Sequence, residues 1–140
     1  MKVLKISERP PSVNAMYTPL SRGRSVKSRA GRSWTSLALA ELSSQVGIGD
    51  KPGYWSIAIK IPAMGAGCDL TNYEKALVDS IVAAKKAPDD RYIVKTSMEF
   101  YGGDCVIAEI QREPTELWAT IKGASKALTK KLYGPNDLLA

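Results

Sequence analysis

Between residues 69 and 90 the chain gathers five carboxylates and a lysine close to them in sequence: Asp69, Glu74, Asp79, Asp89 and Asp90, with Lys75. Carboxylate oxygens are hard ligands that suit Mg²⁺ or Mn²⁺. A lysine beside them can stabilise negative charge that develops on a reacting group. The chain has no histidine, which removes Ser–His and Cys–His nucleophile pairs, His-held metal nucleases and most zinc sites. Catalysis would therefore be built from carboxylates, Lys, Tyr, Ser or Thr. Cys68 and Cys105 lack metal-ligand spacing and read as reduced thiols rather than a disulfide.

These groups need an element that holds them, and the spacing supplies one. Tyr73, Leu77, Ile81 and Ala84 recur every three or four residues, the mark of one buried helical stripe. Thr71 with Glu74 fits a capping box, in which hydroxyl and carboxylate satisfy each other's backbone amides. Asp69 then lies just before the helix, where the positive dipole end favours an anion. Lys75 is one turn in. If the chain folds back after Pro88, Asp90 approaches Asp69, and an acidic pocket with one cation results. Each part also has a purely structural account: Asp69 as a cap, Pro88-Asp89-Asp90 as a turn, and Lys75 with Asp79 as an i, i+4 surface pair.

Taken together, Asp69-Leu-Thr-Asn-Tyr-Glu-Lys75, the further Asp79, and Pro88-Asp89-Asp90 resemble the RusA family of Holliday-junction resolvases, often carried by bacteriophage genomes. Upstream, Pro10-Pro11-Ser12-Val13-Asn14 with Tyr17, followed by Arg22 and Arg24, is similar to the family's opening segment. The resemblance spans roughly residues 1 to 111 and leaves 112–140 as a helical extension. It implies a Mg²⁺-dependent endonuclease for branched DNA, acting in recombination and repair as a homodimer in the cytoplasm of a bacterial or phage-infected cell. It implies that Asp69 and Asp90 hold the ion and that Lys75 takes part in catalysis. One position departs from the pattern: the second Asp of the family's Asp-x-Asp is Thr71 here. Glu74, on the same turn, is the carboxylate that can substitute as a metal ligand. Two other readings stand beside this one, a DNA-binding module that has lost its chemistry with Thr71, and a nuclease for other branched or single-stranded DNA.

Charge points to the same class of partner. Residues 1–34 carry eight basic groups against Glu8 alone, whereas the remaining 106 residues carry twelve against thirteen acids. So uneven a distribution fits a polyanion, because each phosphate neutralised releases counterions. Arg22, Arg24, Lys27, Arg29 and Arg32 are the expected phosphate contacts. Asn14 and Tyr17 could orient a nucleotide by hydrogen bonding and stacking. A solvated loop is the structural alternative.

The remaining elements follow from pattern. A strand is expected over Lys2–Ser7, ended by Pro10 and Pro11, which give no ladder hydrogen bond. Residues 8–31 read as one long loop. Trp34, Leu37, Ala38, Leu42 and Val46 predict a helix over Ser33–Val46, stopped by Gly47 and Gly49. Alternating Trp55, Ile57, Ile59 and Ile61 predict a strand over Tyr54–Ile61, and Ala63–Cys68 a loop leading to Asp69. Tyr92–Tyr101, a turn at Gly102-Gly103-Asp104 and Cys105–Gln111 read as a hairpin. Pro114–Tyr133 carries helix start and stop signals and an apolar face of Leu117, Trp118, Ile121, Ala124, Leu128 and Leu132. The sum is one domain of mixed α/β (α+β) class, with about four strands in a mixed sheet packed by helices. No stretch is long and apolar enough to span a membrane.

Overall fold

The fold is seen in a computed structural model that describes residues 1–49, 51–63 and 69–121. Its centre is strand β4, Trp55–Pro62, in which every second residue is buried. Ile57, Ile59 and Ile61 are at most 1% exposed; burying each such side chain is worth about 1.5–3 kcal/mol. Around it run β1 (Lys2–Ile6), β5 (Ile93–Tyr101) and β6 (Val106–Arg112) in the order β1-β6-β4-β5. The β4–β5 pair is parallel, and β6 is antiparallel to both β4 and β1. The expected four-stranded mixed sheet is therefore present.

One pairing differs from expectation. Strands β5 and β6 do not form a hairpin, because β4 lies between them. The short link at residues 102–105 instead passes over the end of β4, whose next residue, Ala63, donates its N–H to Tyr101 O at 3.0 Å. The local turn signal was real, but partner choice went to the most apolar strand available.

Helices α2 (Arg29–Ser43) and α3 (Thr71–Ala83) supply the other half of the core, burying Trp34, Ala38 and Leu42 from the first and Tyr73, Leu77 and Ile81 from the second. The stripe read for α3 is thus the buried one, with Ala84 half-buried at its end. Helix α2 starts four residues earlier than its apolar pattern indicates. Ser28 is the cause: its Oγ accepts from Gly31 N at 3.0 Å, a side-chain cap, and donates to Ala15 O at 2.6 Å.

Residues 8–31 are not one loop. They contain a single helical turn, α1 (Val13–Met16), and a two-stranded antiparallel ribbon, β2 (Tyr17–Pro19) with β3 (Ser25–Lys27), separate from the main sheet. Proline and basic content hid it, since a three-residue strand offers too short an alternation to detect. The ribbon's base is tied down by the Ser28 N–H, which donates to Met16 O at 2.9 Å. Gly31 is required there, because a Cβ would collide with Met16 O. Gly31→Ala is expected to cost about 1–3 kcal/mol, as overpacking of a tight contact does. A chemical denaturation midpoint unchanged from the parent would refute that account.

Farther along the chain, α4 (Thr115–Ile121) sets Trp118 against the buried Tyr54, on which Tyr92 and Val94 also pack. A register shift between Trp55 and Ser56 leaves Val94 without a partner in the β4–β5 pairing. Of the apolar face read for this helix, Leu117 and Ile121 are 53% and 60% exposed. The part expected beyond Ile121 lies outside the described residues, as does the loop containing Cys68. Cys105 is a free, half-buried thiol.

Candidate active site

Helix α3 begins differently from the capping box its sequence offers. The Thr71 side chain makes no capping hydrogen bond. Asp69 does: its Oδ1 accepts from Thr71 N at 3.2 Å, and its carbonyl accepts from Asn72 N at 3.1 Å. Leu70 already has helical dihedrals (φ −53°, ψ −40°), so the helix starts one residue early and the cap passes to the acid before it. A carboxylate satisfies an orphan amide and the dipole together, whereas a threonine hydroxyl satisfies only the first. Glu74 is released from the reciprocal bond that a capping box would impose.

At its far end, α3 closes with a Schellman motif. Lys85 N–H donates to Val82 O at 3.0 Å and Lys86 N–H to Ile81 O at 3.1 Å, with Lys85 in the left-handed region at φ 58°, where a glycine is usual. Lys86 O in turn accepts from Ile48 N at 2.9 Å, and Gly47 lies so close to Lys86 that a Cβ would meet its carbonyl. Ala87 and Pro88 are buried after it. This pinned reversal sends the chain back along α3.

The next two residues, Asp89 and Asp90, part company. Asp89 caps the 3-10 turn Asp90–Tyr92, accepting from Arg91 N at 3.1 Å, and its carboxylate lies 3.7 Å from Arg91 Nε. Its carboxyl titrates below the ordinary carboxylate range, first because of that backbone hydrogen bond, then through a side-chain hydrogen bond with Asp90 and the Arg91 charge. Asp90 lines a groove of about 430 Å³ together with Thr71, Glu74, Lys75 and Asp79 of α3. Thr96 of β5 also faces it; no spacing in the sequence marks that residue, because β5 reaches the groove only through its pairing with β4.

Lys75 is held from two sides. Its Nζ lies 3.5 Å from Asp79 Oδ2 and 5.9 Å from the centroid of the Tyr17 ring. Asp79 is thereby engaged as the lysine's partner. The pair is more than half exposed, so its contribution to stability is small and its consequence is the placement of the ammonium. Glu74, Lys75, Asp79 and Asp90 thus share one groove, whereas Asp69 sits at the helix start with one oxygen used in capping and is not among the groove's lining residues. Among the described residues, no three acidic or cysteine side chains cluster closely enough to hold a metal ion.

Tyr17 links this groove to the basic ribbon, being half-buried against the core while starting β2. Arg22, Arg24, Lys27 and Arg29 are exposed. Arg32 is exposed too and donates from its guanidinium to Lys27 O at 2.9 Å, holding the ribbon's return strand to α2. Asn14 is exposed on α1. The five cations expected to meet phosphate thus flank one ribbon rooted beside Lys75. The chain matches no protein-family model, and no curated protein is significantly similar to it.

Proposed function

We propose that this chain is a metal-dependent endonuclease for branched DNA, of the Holliday-junction resolvase kind. The observation that carries the reading is a groove lined by two carboxylates and a lysine, Glu74, Asp90 and Lys75, immediately beside an acid-free basic ribbon. A phosphate backbone gripped by the ribbon could enter the groove. The donor set suits a hard divalent cation: Glu74 and Asp90 would be its oxygen ligands, whereas Asp69 lies outside the groove they share. Mg²⁺ commonly keeps several waters and so needs only one or two protein carboxylates, consistent with the absence of a tighter acid cluster. When bound, such an ion supplies a positive charge that polarises phosphate and lowers the pKa of water.

The chain's own residues do the rest. Lys75, positioned by Asp79 and Tyr17, donates hydrogen bonds to a non-bridging or leaving oxygen of the phosphodiester as charge accumulates there. Thr71 borders the groove without adding charge, so one negative group fewer repels the incoming DNA. The homodimer belongs to this proposal, because a junction presents two symmetry-related strands. Among the described residues, no helix is long and apolar enough to cross a membrane.

The test is cleavage of labelled four-way junction and linear duplex in Mg²⁺ or EDTA. Junction cut only with the divalent ion is the expected result. Binding with no cleavage under any divalent ion would instead make the chain a DNA-binding module. Neutralising one of Arg22, Arg24 or Lys27 is expected to reduce the slope of log K against log salt by about 0.9. Identical slopes for all three variants would remove the ribbon from the interface.

A further inference from the structure

The ribbon has two faces, and phosphate contact leaves part of the outer one unexplained. Strand pairing runs Tyr17 to Lys27, Thr18 to Val26 and Pro19 to Ser25. It continues one step further, because Leu20 and Arg24 are both extended (φ −114° and −85°) and the Leu20 N–H donates to Arg24 O at 2.7 Å. Side chains alternate across a pleated pair. Tyr17, Pro19, Ser25 and Lys27 therefore share the face that Tyr17 packs onto the domain. Thr18, Leu20, Arg24 and Val26 share the outer one.

That outer face carries two large apolar side chains in water. Leu20 and Val26 are each 46% exposed, on a segment with no acidic residue from Arg9 to Ala40. An arm that only neutralised phosphate would have no use for them. The tip beyond is narrow and unobstructed. Arg22 adopts the left-handed region (φ 62°, ψ 37°), which L side chains rarely occupy; Gly23 follows at φ 70° with nothing within 4 Å of where a Cβ would stand. A two-stranded ribbon is thin enough to enter a DNA groove. Apolar side chains delivered by a cationic element are the means by which proteins prise base steps apart.

We infer that the outer face of the β2–β3 ribbon, through Leu20 and Val26, contacts bases exposed or unstacked at a branch point, and so determines the preference for branched over linear DNA. This rests on the reading of DNA as the ligand. It assigns the ribbon two separable tasks: Arg24 and its neighbours hold phosphate, and Leu20 with Val26 meet bases. Base stacking is least costly to break where strands already diverge, so an apolar tip favours a junction without reading sequence.

The test uses the full chain with a four-way junction carrying 2-aminopurine at its branch point, in EDTA so that binding is read without cleavage. Wild type is expected to raise the fluorescence. Leu20→Ser and Val26→Thr, both at exposed positions, should abolish most of the rise and lower junction-over-duplex preference roughly tenfold, the scale of one lost base contact. Affinity for linear duplex and its salt slope should stay unchanged in both, whereas Arg24→Ala should weaken both DNAs alike. A rise as large in both apolar variants as in wild type would overturn the assignment. So would binding to phosphatidylglycerol vesicles without binding to the junction, the other surface that an exposed leucine among cations could meet. Unstacking by a wild type that does not cut in Mg²⁺ would uphold the tip while ending the nuclease reading. Cutting that proceeds with unstacking untouched in both variants would do the reverse.

Discussion

Asp90→Asn is expected to lower junction cleavage by at least about 10³-fold, equivalent to roughly 4 kcal/mol of transition-state stabilisation, while junction binding persists or tightens. Asn keeps the volume and one carbonyl oxygen but loses the charge that a divalent ion needs, and it also removes a repulsion with phosphate. The sharper form of the prediction compares neighbours. Asp89→Asn should retain activity within a few-fold, since Asp89 faces Arg91 and caps the following turn, and Asn caps as well as Asp. Single-turnover cleavage of the two variants decides it. An active Asp90→Asn alongside an inert Asp89→Asn would show that the pair had been assigned the wrong way round.

Lys75→Gln is the second large effect, expected at about 10²–10³-fold in the cleavage step, the size found when one preorganised donor is removed from a developing oxyanion. Binding should change little if, as proposed, the ribbon supplies most of the phosphate contacts. Two further variants separate Lys75 from the groups that hold it. Asp79→Asn and Tyr17→Leu leave the ammonium in place but remove the 3.5 Å ion pair or the ring 5.9 Å away, and should each cost less than the loss of the lysine. Wild-type cleavage by Lys75→Gln across the pH range would exclude the lysine from the chemistry. A drop for Tyr17→Leu as large as that for Lys75→Gln would mean the ribbon's root, rather than the ammonium, governs the step.

The position of Thr71 illustrates how local sequence can mislead about a helix start. Thr71 and Glu74 make a satisfactory capping box on paper, yet Asp69 is the group that bonds the Thr71 amide. Thr71→Ala consequently removes no capping bond. Glu74 is left to line the groove.

What the sequence determined by itself was whatever depends on local period and composition. The stripe Tyr73, Leu77, Ile81 fixes the buried side of α3, the alternation of Trp55 to Ile61 fixes the central strand, and the missing histidine removes any chemistry that needs an imidazole. The tertiary structure alone decided matters that depend on distant partners. It put β4 between β5 and β6, because the most apolar strand gains most from two neighbours. It built the β2–β3 ribbon from a stretch whose strands are too short for alternation to show, with Ser28, Gly31 and Met16 fixing its base. It also gave Asp89 and Asp90 different surroundings. Adjacent residues of one type are indistinguishable in a sequence; only the pinned turn after α3 and the 3-10 helix that follows send one carboxylate to Arg91 and the other into the groove.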